Sequence, residues 1–444
     1  MSSKTYSQPA AKPWPAPLAN GPIDSAIELP GSKSLNNREL VLSALATEPT
    51  TLTGVLKSRD SDLMIAALSA LGTKIHENQD GSLLVTPAPF NRAATIDCGL
   101  AGTVMRFVPP ISVLAQADVK FDGDEGARRR PMHTTIDSLR ALGTAVTDEG
   151  LAALPFTVHG KGKVSGGEIT IDASASSQFV SGLLLAAARY ENGITLRHDG
   201  EHLPSMPHIE MTLDCLEKRG VKVSTPEPAV WRVEPGNISG GSVSIEPDLS
   251  NAGPFLAAAM VAGGKVFIQG WPESTTQVGD EFDGILQRMG AKITREAGGL
   301  SIEGTGKIHG IDIDLSIGGE LTPVIAALAA IADSPTVIRG VAHLRGHETD
   351  RLAALAAEIN RIGGIARETA DGLEIDPSDN LHGALWQTYE DHRMATAGAI
   401  IGLRVAGIQI EDISTTSKTM PNFADMWMNM LGDSHLQSKL GEDS

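Results

Sequence analysis

Two cations and two hydroxyls lie close together where the first strongly apolar segment of the chain begins. Residues 30–38 read PGSKSLNNR, in which Lys33 stands between Ser32 and Ser34 and Arg38 follows. The Pro–Gly pair predicts a break, and the apolar segment after it predicts a helix. The N-terminus of a helix is already partly positive, so cations there are unfavourable unless an anion binds among them. Two interpretations stay open: an anion site, or a serine cap flanked by solvated basic residues.

Hydroxyls and carboxylates also stand at the starts of other predicted helices. Ser176 and Ser177 open the segment SSQFVSGLLL, and Glu320 opens ELTPVIAALAA. Hydroxyls and free N–H groups at such a helix start can attract an anion. The alternative in each case is a simple N-cap, which would explain one serine but not obviously both.

Three further charged or polar residues have equally ordinary alternatives. Arg130 stands in ARRRP, which on its own favours a solvated basic run. Glu348 stands in GHETDR, where a Glu–Arg pair on the surface is common. His392 in DHRM is either structural or faces a ligand, and one histidine is weak evidence for function.

The acidic composition limits the partners of the chain. Its 444 residues include 36 Lys and Arg but 54 Asp and Glu, giving a net charge of −18, which argues against a nucleic-acid partner. An anionic ligand must therefore be held by a local cluster of cations. The two cysteines, Cys98 and Cys215, have no metal-ligand spacing around them, so we expect no metal and no cofactor. Residues 1–22 lack the apolar stretch of a secretory signal and no segment is long enough to span a bilayer, so we expect a cytoplasmic protein.

An amphipathic helix that ends at a glycine recurs six times along the chain. The glycines stand 69 to 77 residues apart, at Gly72, Gly143, Gly220, Gly290, Gly363 and Gly432. Upstream of each copy lies a second segment that is apolar almost all round and predicts a buried helix. A short strand separates the two helices, and further strands follow the glycine. The sequence therefore predicts six α/β repeats of helix, strand, helix, strand and strand.

Six repeats are too many for one core and suit two domains of three repeats each. We expect an N-terminal-half domain at 30–247 and a C-terminal-half domain at 248–433. Residues 1–29 would form an arm and the first part of the C-terminal-half domain, and 434–444 a polar tail. If the buried helices of a domain direct their N-termini into one cleft, their dipoles attract anions without a net positive charge on the protein.

Eight motifs carry a resemblance to a known family. In order they are PGSKSLNNR, LAGTVMRF, RRRPMH, SASSQFVSGLLLAA, LPSMPH, HLRGHETDR, YEDHRM and SKTMPNF. Over about residues 30–425 the chain resembles the 5-enolpyruvylshikimate-3-phosphate synthases. The resemblance implies the two-domain inside-out α/β barrel with the active site in the interdomain cleft, and we expect a monomer.

The same resemblance implies an activity. Enzymes of this family transfer the enolpyruvyl group of phosphoenolpyruvate to the 5-hydroxyl of shikimate 3-phosphate and release phosphate through a tetrahedral intermediate. They act in the shikimate pathway, which leads through chorismate to the aromatic amino acids. The herbicide glyphosate occupies their phosphoenolpyruvate pocket.

The resemblance also implies three overlapping sets of site residues. For phosphoenolpyruvate they are Lys33, Gly102, Arg130, Gln178, Arg351, Arg393 and Lys418. For shikimate 3-phosphate they are Lys33, Ser34, Arg38, Ser176, Ser177, Gln178, Ser205, Glu320 and His347. The catalytic set is Lys33, Glu320, Glu348, His392 and Lys418. Glu320 and His347 depart from the family pattern, in which Asp and Lys are expected.

Two alternatives remain from the sequence. The UDP-N-acetylglucosamine enolpyruvyl transferases share the fold and the phosphoenolpyruvate half-reaction, but carry a reactive cysteine in a mobile loop that neither cysteine here matches. A non-catalytic anion-binding relative would need phosphate contacts but no carboxylates facing them. The joint presence of Lys33, Glu320, Glu348, Arg393 and Lys418 argues against such a relative.

Overall fold

The computed structural model describes residues 12–346 and 348–440, and side chains as far as Gly432. These residues divide into two compact units. The N-terminal-half unit comprises Glu28–Ser250 and Gly270–Asp280. The C-terminal-half unit comprises Asn251–Gln269 and the described parts of Met1–Ile27 and Glu281–Ser444. Residues 270–280 thus lie with the first unit, although their place in the sequence had assigned them to the second.

The N-terminal-half unit contains three repeats and a closing strand. Its helices are α1 (Lys33–Leu45), α2 (Arg59–Leu71), α3 (Gly102–Ser112), α4 (Glu125–Arg128), α5 (His133–Ala141), α6 (Gln178–Ala187) and α7 (Met206–Lys218). Its strands are β3 (Thr50–Thr53), β4 (Lys74–Glu77), β5 (Leu83–Thr86), β6 (Ala94–Asp97), β7 (Asp118–Asp122), β8 (Ala145–Thr147), β9 (Phe156–His159), β10 (Gly167–Ile171), β11 (Ile194–His198), β12 (Val223–Glu227), β13 (Val230–Val233) and β14 (Gly241–Ser244).

The C-terminal-half unit repeats this plan, beginning with two strands from the N-terminal arm. Its strands are β1 (Trp14–Pro15), β2 (Ile23–Ile27), β15 (Gly264–Gln269), β16 (Lys292–Glu296), β17 (Gly299–Gly304), β18 (Asp312–Asp314), β19 (Thr336–Arg339), β20 (Ile365–Glu368), β21 (Leu373–Asp376), β22 (Leu385–Trp386) and β23 (Gln409–Ile410). Its helices are α8 (Leu249–Ala262), which begins at the junction of the two units, α9 (Phe282–Arg288), α10 (Thr322–Ala329), α11 (Arg351–Arg361), α12 (His392–Gly402) and α13 (Phe423–Leu440).

The described strands form six sheets with one recurring topology. Five sheets have four strands, in which an edge strand runs parallel to its neighbour and the remaining pairs are antiparallel, as in β10-β11-β13-β12. The sixth has three strands, with β22 parallel and β1 antiparallel to β23. Strand β14 completes the first sheet of its unit, and β2 pairs with β15. The predicted α/β repeats are confirmed.

Five of the six predicted glycine stops end their helices as expected. Gly72, Gly143, Gly220, Gly290 and Gly363 all have φ between 78° and 131°, the left-handed region in which glycine is favoured. The prediction for Gly432 is wrong, because α13 continues through it to Leu440. A glycine inside a helix costs only about 1 kcal/mol relative to alanine, so helix-forming neighbours on both sides can override it.

The helices predicted to be apolar all round are the buried ones. Every residue of α10 is buried, as are eleven of the thirteen residues of α1. In the N-terminal-half unit these helices and the inner faces of the sheets form one hydrophobic core. Within the described residues, no helix is long and apolar enough to cross a membrane.

Candidate active site

Lys33 is the first residue of α1, at the helix start that the sequence singled out. Ser32 is the N-cap, and its hydroxyl accepts the Leu35 N–H at 3.5 Å. The Lys33 ammonium lies 3.7 Å from the carboxylate of Asp60, which is buried near the start of α2. The Lys33 backbone N–H donates to Asp248 at 3.2 Å. The distance of 3.7 Å between the Lys33 ammonium and the Asp60 carboxylate is longer than a strong charge-assisted hydrogen bond.

Arg38 is buried one turn further along α1, with only 1% of its surface exposed. Its guanidinium donates to the hydroxyl of Thr212 at 2.8 Å and to the carbonyl oxygens of Ser34 at 2.9 Å and His208 at 2.8 Å. It also donates to the Ser181 hydroxyl at 3.3 Å. These acceptors are all neutral oxygens, so Arg38 ties the start of α1 to α6 and α7 while its charge still acts on the surroundings.

Gly102 is the point at which three of the expected phosphoenolpyruvate residues meet. A Cβ placed on Gly102 would lie 3.1 Å from the Gln178 side-chain oxygen and 3.3 Å from a guanidinium nitrogen of Arg130. It would also lie 3.3 Å from a guanidinium nitrogen of Arg106, which the sequence analysis did not single out. Gly102 opens α3, and its N-cap Ala101 provides no side-chain hydrogen bond. The first N–H groups of α3 are therefore available to an anion.

Close packing of α3 against α6 creates this arrangement. A Cβ on Gly182 of α6 would lie 2.2 Å from the carbonyl oxygen of Arg106 on α3, so only glycine permits the approach. The two helices therefore run near each other, and Gln178 at the start of α6 comes beside Gly102 at the start of α3. Arg130 follows α4, and its guanidinium donates to the carbonyl of Leu100 at 3.4 Å.

The serines expected to bind shikimate 3-phosphate stand before α6 and α7. Ser177 is the N-cap of α6 but makes no capping hydrogen bond, while the hydroxyl of Ser176 accepts the Gln178 N–H at 3.2 Å. Ser205 is the N-cap of α7, with φ 54° and ψ 54°, and it too makes no side-chain cap. A left-handed backbone is unusual for serine and marks a position worth a functional explanation.

In the C-terminal-half unit, Arg351 lies at the centre of an ion-pair network. It is the first residue of α11 and is 2% exposed. Its guanidinium donates to Asp391 at 2.7 Å and to Glu348 at 2.7 Å. The other oxygen of Glu348 accepts from Lys418. Burial acts against the charge of Arg351, but Asp391 and Glu348 outweigh it and raise its pKa.

Asp391 links this network to the start of α12. It is fully buried, and as N-cap it accepts the Arg393 N–H at 2.8 Å. His392 is buried with its Nδ1 3.7 Å from Asp391. The guanidinium of Arg393, in contrast, has no hydrogen bond or ion pair to any other described residue and is half-buried. Arg393 can therefore accept an external anion without giving up a partner.

Glu320 lies in a 3₁₀ turn just before α10 and close to His343, a residue that the sequence analysis missed. Burial lowers the pKa of His343, the charge of Glu320 acts in the opposite direction, and the charge of Arg351 lowers it further. A Cβ on Gly319 would lie within 2.4 Å of the His343 ring, so the turn packs directly on the imidazole. His347 lies outside the described residues.

The family model for EPSP synthase (3-phosphoshikimate 1-carboxyvinyltransferase) matches residues 18–427 of this chain. A 3-phosphoshikimate 1-carboxyvinyltransferase of Kocuria rhizophila is 54% identical over 430 residues, covering 94% of this chain and 96% of the relative. The chain belongs to the EPSP synthase family. The resemblance inferred from the eight motifs is thus confirmed.

Solved structures of family members share the fold. Two structures of EPSP synthase from Acinetobacter baumannii superpose with TM-scores of 0.78 and 0.77. Both are 24% identical in sequence and cover 93% of this chain and 97% of their own. At this identity the likeness speaks for the fold, and it confirms the α/β class predicted from the repeats.

Within each unit, the structure brings several of the expected site residues of this EPSP synthase family member together. Gly102, Arg130 and Gln178 meet at one point, while Glu348, Arg351 and Lys418 are directly ion-paired. Four further residues near these groups were not predicted from the sequence: Asp391, Asp60, His343 and Arg106. Asp391 carried a usable signal, since an Asp directly before an apolar helix is a typical N-cap. Arg106 carried one as well, as a single charge in a helix that is otherwise apolar.

Proposed function

We propose that the site residues of the two units carry out the reaction of the family: enolpyruvyl transfer from phosphoenolpyruvate to the 5-hydroxyl of shikimate 3-phosphate. The observation that carries the activity is 54% identity to a named 3-phosphoshikimate 1-carboxyvinyltransferase over 94% of the chain. The assignment of roles to individual residues is our proposal, and it is supported by the contacts described above.

The reaction sets three chemical requirements. The 5-hydroxyl oxygen forms a bond to C2 of phosphoenolpyruvate while C3 gains a proton, giving a tetrahedral intermediate. The bond from C2 to the phosphate oxygen then breaks, C3 loses a proton, and the double bond is restored. The site must hold a phosphate and a carboxylate, remove a proton from a hydroxyl, and both supply and remove a proton at C3.

We assign phosphoenolpyruvate to the cations at Gly102 and at the starts of α11 and α12. Arg130 and the open N–H groups of α3 suit the phosphate, because charge and free N–H groups coincide there. Arg393 has a guanidinium with no partner among the other described residues and suits the carboxylate, for which a planar fork is well matched. Arg351 is already fixed by Asp391, so it offers a rigid guanidinium edge.

We assign the proton transfers to carboxylates in different surroundings. Glu348 is paired with both Arg351 and Lys418, so a proton placed on C3 can come from this network and return to it. Lys33 would assist there through its ammonium, and Lys418 would neutralise the leaving phosphate. Glu320 would accept the proton of the 5-hydroxyl.

We assign shikimate 3-phosphate to the starts of α1, α6 and α7. Ser177 and Ser205 occupy N-cap positions without using their hydroxyls as caps, so both hydroxyls can turn to a phosphate. Arg38 fixes the Ser34 carbonyl and adds positive charge from beneath. His392, His347 and Ser176 stay predictions based on the resemblance.

The cysteine-dependent alternative finds no support in this chain. Cys98 and Cys215 are both buried, and burial is the main cause that raises the pKa of each thiol, to about 12 for Cys98. A nucleophilic cysteine needs the opposite surroundings, exposed and electropositive. Alkylating reagents should therefore leave turnover intact.

One assay tests the proposed function directly. Phosphate release from phosphoenolpyruvate is measured with shikimate 3-phosphate and, separately, with UDP-N-acetylglucosamine as acceptor. We expect release only with shikimate 3-phosphate. Release only with the nucleotide sugar would support the alternative transferase, and release with neither acceptor would support a binding protein without turnover.

The assembly and location of the enzyme are further proposals. The substrates of the family are small molecules, and nothing in the reaction requires a second subunit, so we expect a monomer in the cytoplasm. Sedimentation equilibrium with both substrates tests the first expectation, and cell fractionation tests the second.

A further inference from the structure

Arg106 is a buried cation without a carboxylate partner. It is 4% exposed, and its Nε has no hydrogen-bond partner. One guanidinium nitrogen lies 3.5 Å from the sulfur of Met105, and the guanidinium stands 5.5 Å above the ring of Phe179. In the described part of the chain, no carboxylate lies within ion-pair distance of Arg106. Sulfur and ring contacts are weak compensation for a buried charge.

Arg219 shows how the same unit stabilises a buried arginine that has a structural role. Arg219 is 2% exposed, and its guanidinium donates twice to Glu39, at 2.6 and 3.0 Å. It also donates to hydroxyls of Ser43 and Thr50. Removing one partner of such a buried ion pair strongly destabilises the folded protein. Arg106 has none of these partners, so structural support does not explain its position.

The free side of Arg106 faces the anion site at Gly102. Its Nη1 and that of Arg130 both lie 3.3 Å from the point where a Cβ on Gly102 would stand. The side-chain oxygen of Gln178, which is buried and has no hydrogen-bond partner, lies 3.1 Å from the same point. Burial lowers the pKa of Arg106, and the charge of Arg130 lowers it further. Two like charges that approach the same point repel each other in the absence of an anion.

We propose that Arg106 is a positioning residue for phosphoenolpyruvate, whose buried charge holds Arg130 toward the anion site and is neutralised when the substrate phosphate binds. The proposal rests on the function and on the phosphoenolpyruvate site proposed above. The repulsion between the two guanidiniums destabilises the protein when no ligand is bound. An anion at Gly102 removes this repulsion, and the free energy released contributes to the affinity for phosphate. Arg106 reaches the substrate through Arg130 and through the field at the start of α3.

The test uses the full chain with Arg106→Met, which keeps an unbranched side chain, and with Arg106→Lys, which keeps the charge. For Arg106→Met we expect the KM for phosphoenolpyruvate to rise about tenfold or more, as the loss of one short-range charge interaction predicts. The KM for shikimate 3-phosphate should stay unchanged. Arg106→Lys should recover most of the lost affinity.

Thermal unfolding supplies a readout that is independent of turnover. Inorganic phosphate, a product of the reaction, should raise the Tm of the wild type, because a ligand that binds only the native state stabilises it. In Arg106→Met this phosphate-dependent rise should be mostly lost, while the Tm without phosphate stays equal or increases. The matched control is Arg219→Met, which should lower the Tm and leave the phosphate-dependent rise intact.

Each outcome decides between a positioning role and a structural one. If Arg106→Met lowers the Tm as Arg219→Met does and keeps the wild-type KM for phosphoenolpyruvate, Arg106 is structural and the proposal is wrong. If Arg106→Met does not fold, the KM of Arg106→Lys for phosphoenolpyruvate is compared with that of the wild type. Because Lys keeps the charge, a tenfold rise in this KM would count against a role for the charge of Arg106. An inactive wild type would instead contradict the proposed function.

Discussion

Two site cations in each unit, Arg38 with Arg106 and Arg351 with Lys418, are compensated in opposite ways. In the N-terminal-half unit, Arg38 donates to neutral oxygens, and among the residues that the structure describes no carboxylate pairs with Arg106. In the C-terminal-half unit, Arg351 lies between Asp391 and Glu348, and Lys418 is paired with Glu348. The buried charge of Arg106 is thus left to be neutralised by a ligand, as phosphate recognition requires. The carboxylates around Arg351 and Lys418 neutralise the charge in advance and fix its geometry, as proton transfer requires.

The contrast also separates two kinds of acidic residue within the C-terminal-half unit. Asp391 is fully buried and committed to two partners, so its function is to hold others in place. Glu320 is half-buried, in a 3₁₀ turn beside His343. Of these two carboxylates, Glu320 is the one that we propose to gain and lose a proton during turnover. Substitution of Glu320 should therefore lower kcat, whereas substitution of Asp391 should lower stability and substrate affinity.

The largest effect is expected for Glu320→Gln. If Glu320 accepts the proton of the 5-hydroxyl, its loss should lower kcat by about 100- to 10,000-fold, the usual contribution of a general base. Binding of shikimate 3-phosphate, followed by calorimetry, should change little, because the amide keeps the shape and one acceptor oxygen. A variant with wild-type kcat would show that another group accepts the proton.

Asp391→Asn should produce a different pattern, in which stability falls together with affinity. Removing the charge leaves buried Arg351 without its main partner, and breaking a buried pair typically costs about 3–5 kcal/mol. Urea unfolding should show that loss, and the KM for phosphoenolpyruvate should rise because Arg351 and the start of α12 lose their anchor. The control is Asp350→Asn, because Asp350 caps α11 through the Ala353 N–H and Asn caps a helix about as well, so the loss should stay below about 1 kcal/mol. Equal losses of stability would show that Asp391 is no more than a cap.

Gly102→Ala tests the N-terminal-half side of the comparison. An added methyl would press on the side-chain ends of Gln178, Arg106 and Arg130 at 3.1 to 3.3 Å, so the position of these substrate contacts depends on this glycine. Glyphosate, which by family resemblance occupies the same pocket and is longer than phosphoenolpyruvate, should be affected more strongly. We expect its inhibition constant to rise by a larger factor than the KM for phosphoenolpyruvate, both measured at saturating shikimate 3-phosphate.

A second glycine provides the control for that substitution. Gly284 in α9 has open space where its Cβ would stand, so Gly284→Ala should change neither constant and should stabilise the helix by up to about 1 kcal/mol. Equal factors for glyphosate and phosphoenolpyruvate in Gly102→Ala would mean that the methyl only obstructs the pocket.

The sequence predicted the repeats and the motif residues but not the pairing of charges. The six repeats were visible because apolar periodicity and glycine stops are local signals, and Gly432 failed because a helix can continue through a single glycine. The ion pair of Arg351 with Asp391 joins residues that are 40 positions apart, and the ion pair of Lys418 with Glu348 joins residues that are 70 positions apart. Such contacts depend on how α11, α12 and the turn at 413–418 pack, which no local pattern encodes.

The smallest expected effect concerns His343, which lies beside the carboxylate proposed as the base. Burial lowers its pKa below the ordinary value, and the charge of Glu320 partly offsets this. A histidine with a lowered pKa binds fewer protons in the folded state than in the unfolded state, so stability rises with pH across this range. The contribution of His343 is therefore complete above about pH 6.5, the ordinary pKa of histidine, and is lost as the pH falls through its lowered folded value.

Two variants separate this effect from other titrating groups. His343→Gln should flatten the fall in the free energy of unfolding as the pH drops below about 6.5, where an unshifted histidine would contribute nothing. In Glu320→Gln the offsetting charge is gone, so the pKa of His343 should drop further, as followed by the pH titration of its ring protons in NMR spectra assigned with His343→Gln. A higher pKa for His343 in Glu320→Gln would contradict the contact between the two residues. It would also remove the basis for proposing Glu320 as the carboxylate that exchanges a proton. Glu348 would then be the carboxylate to compare with Asp391.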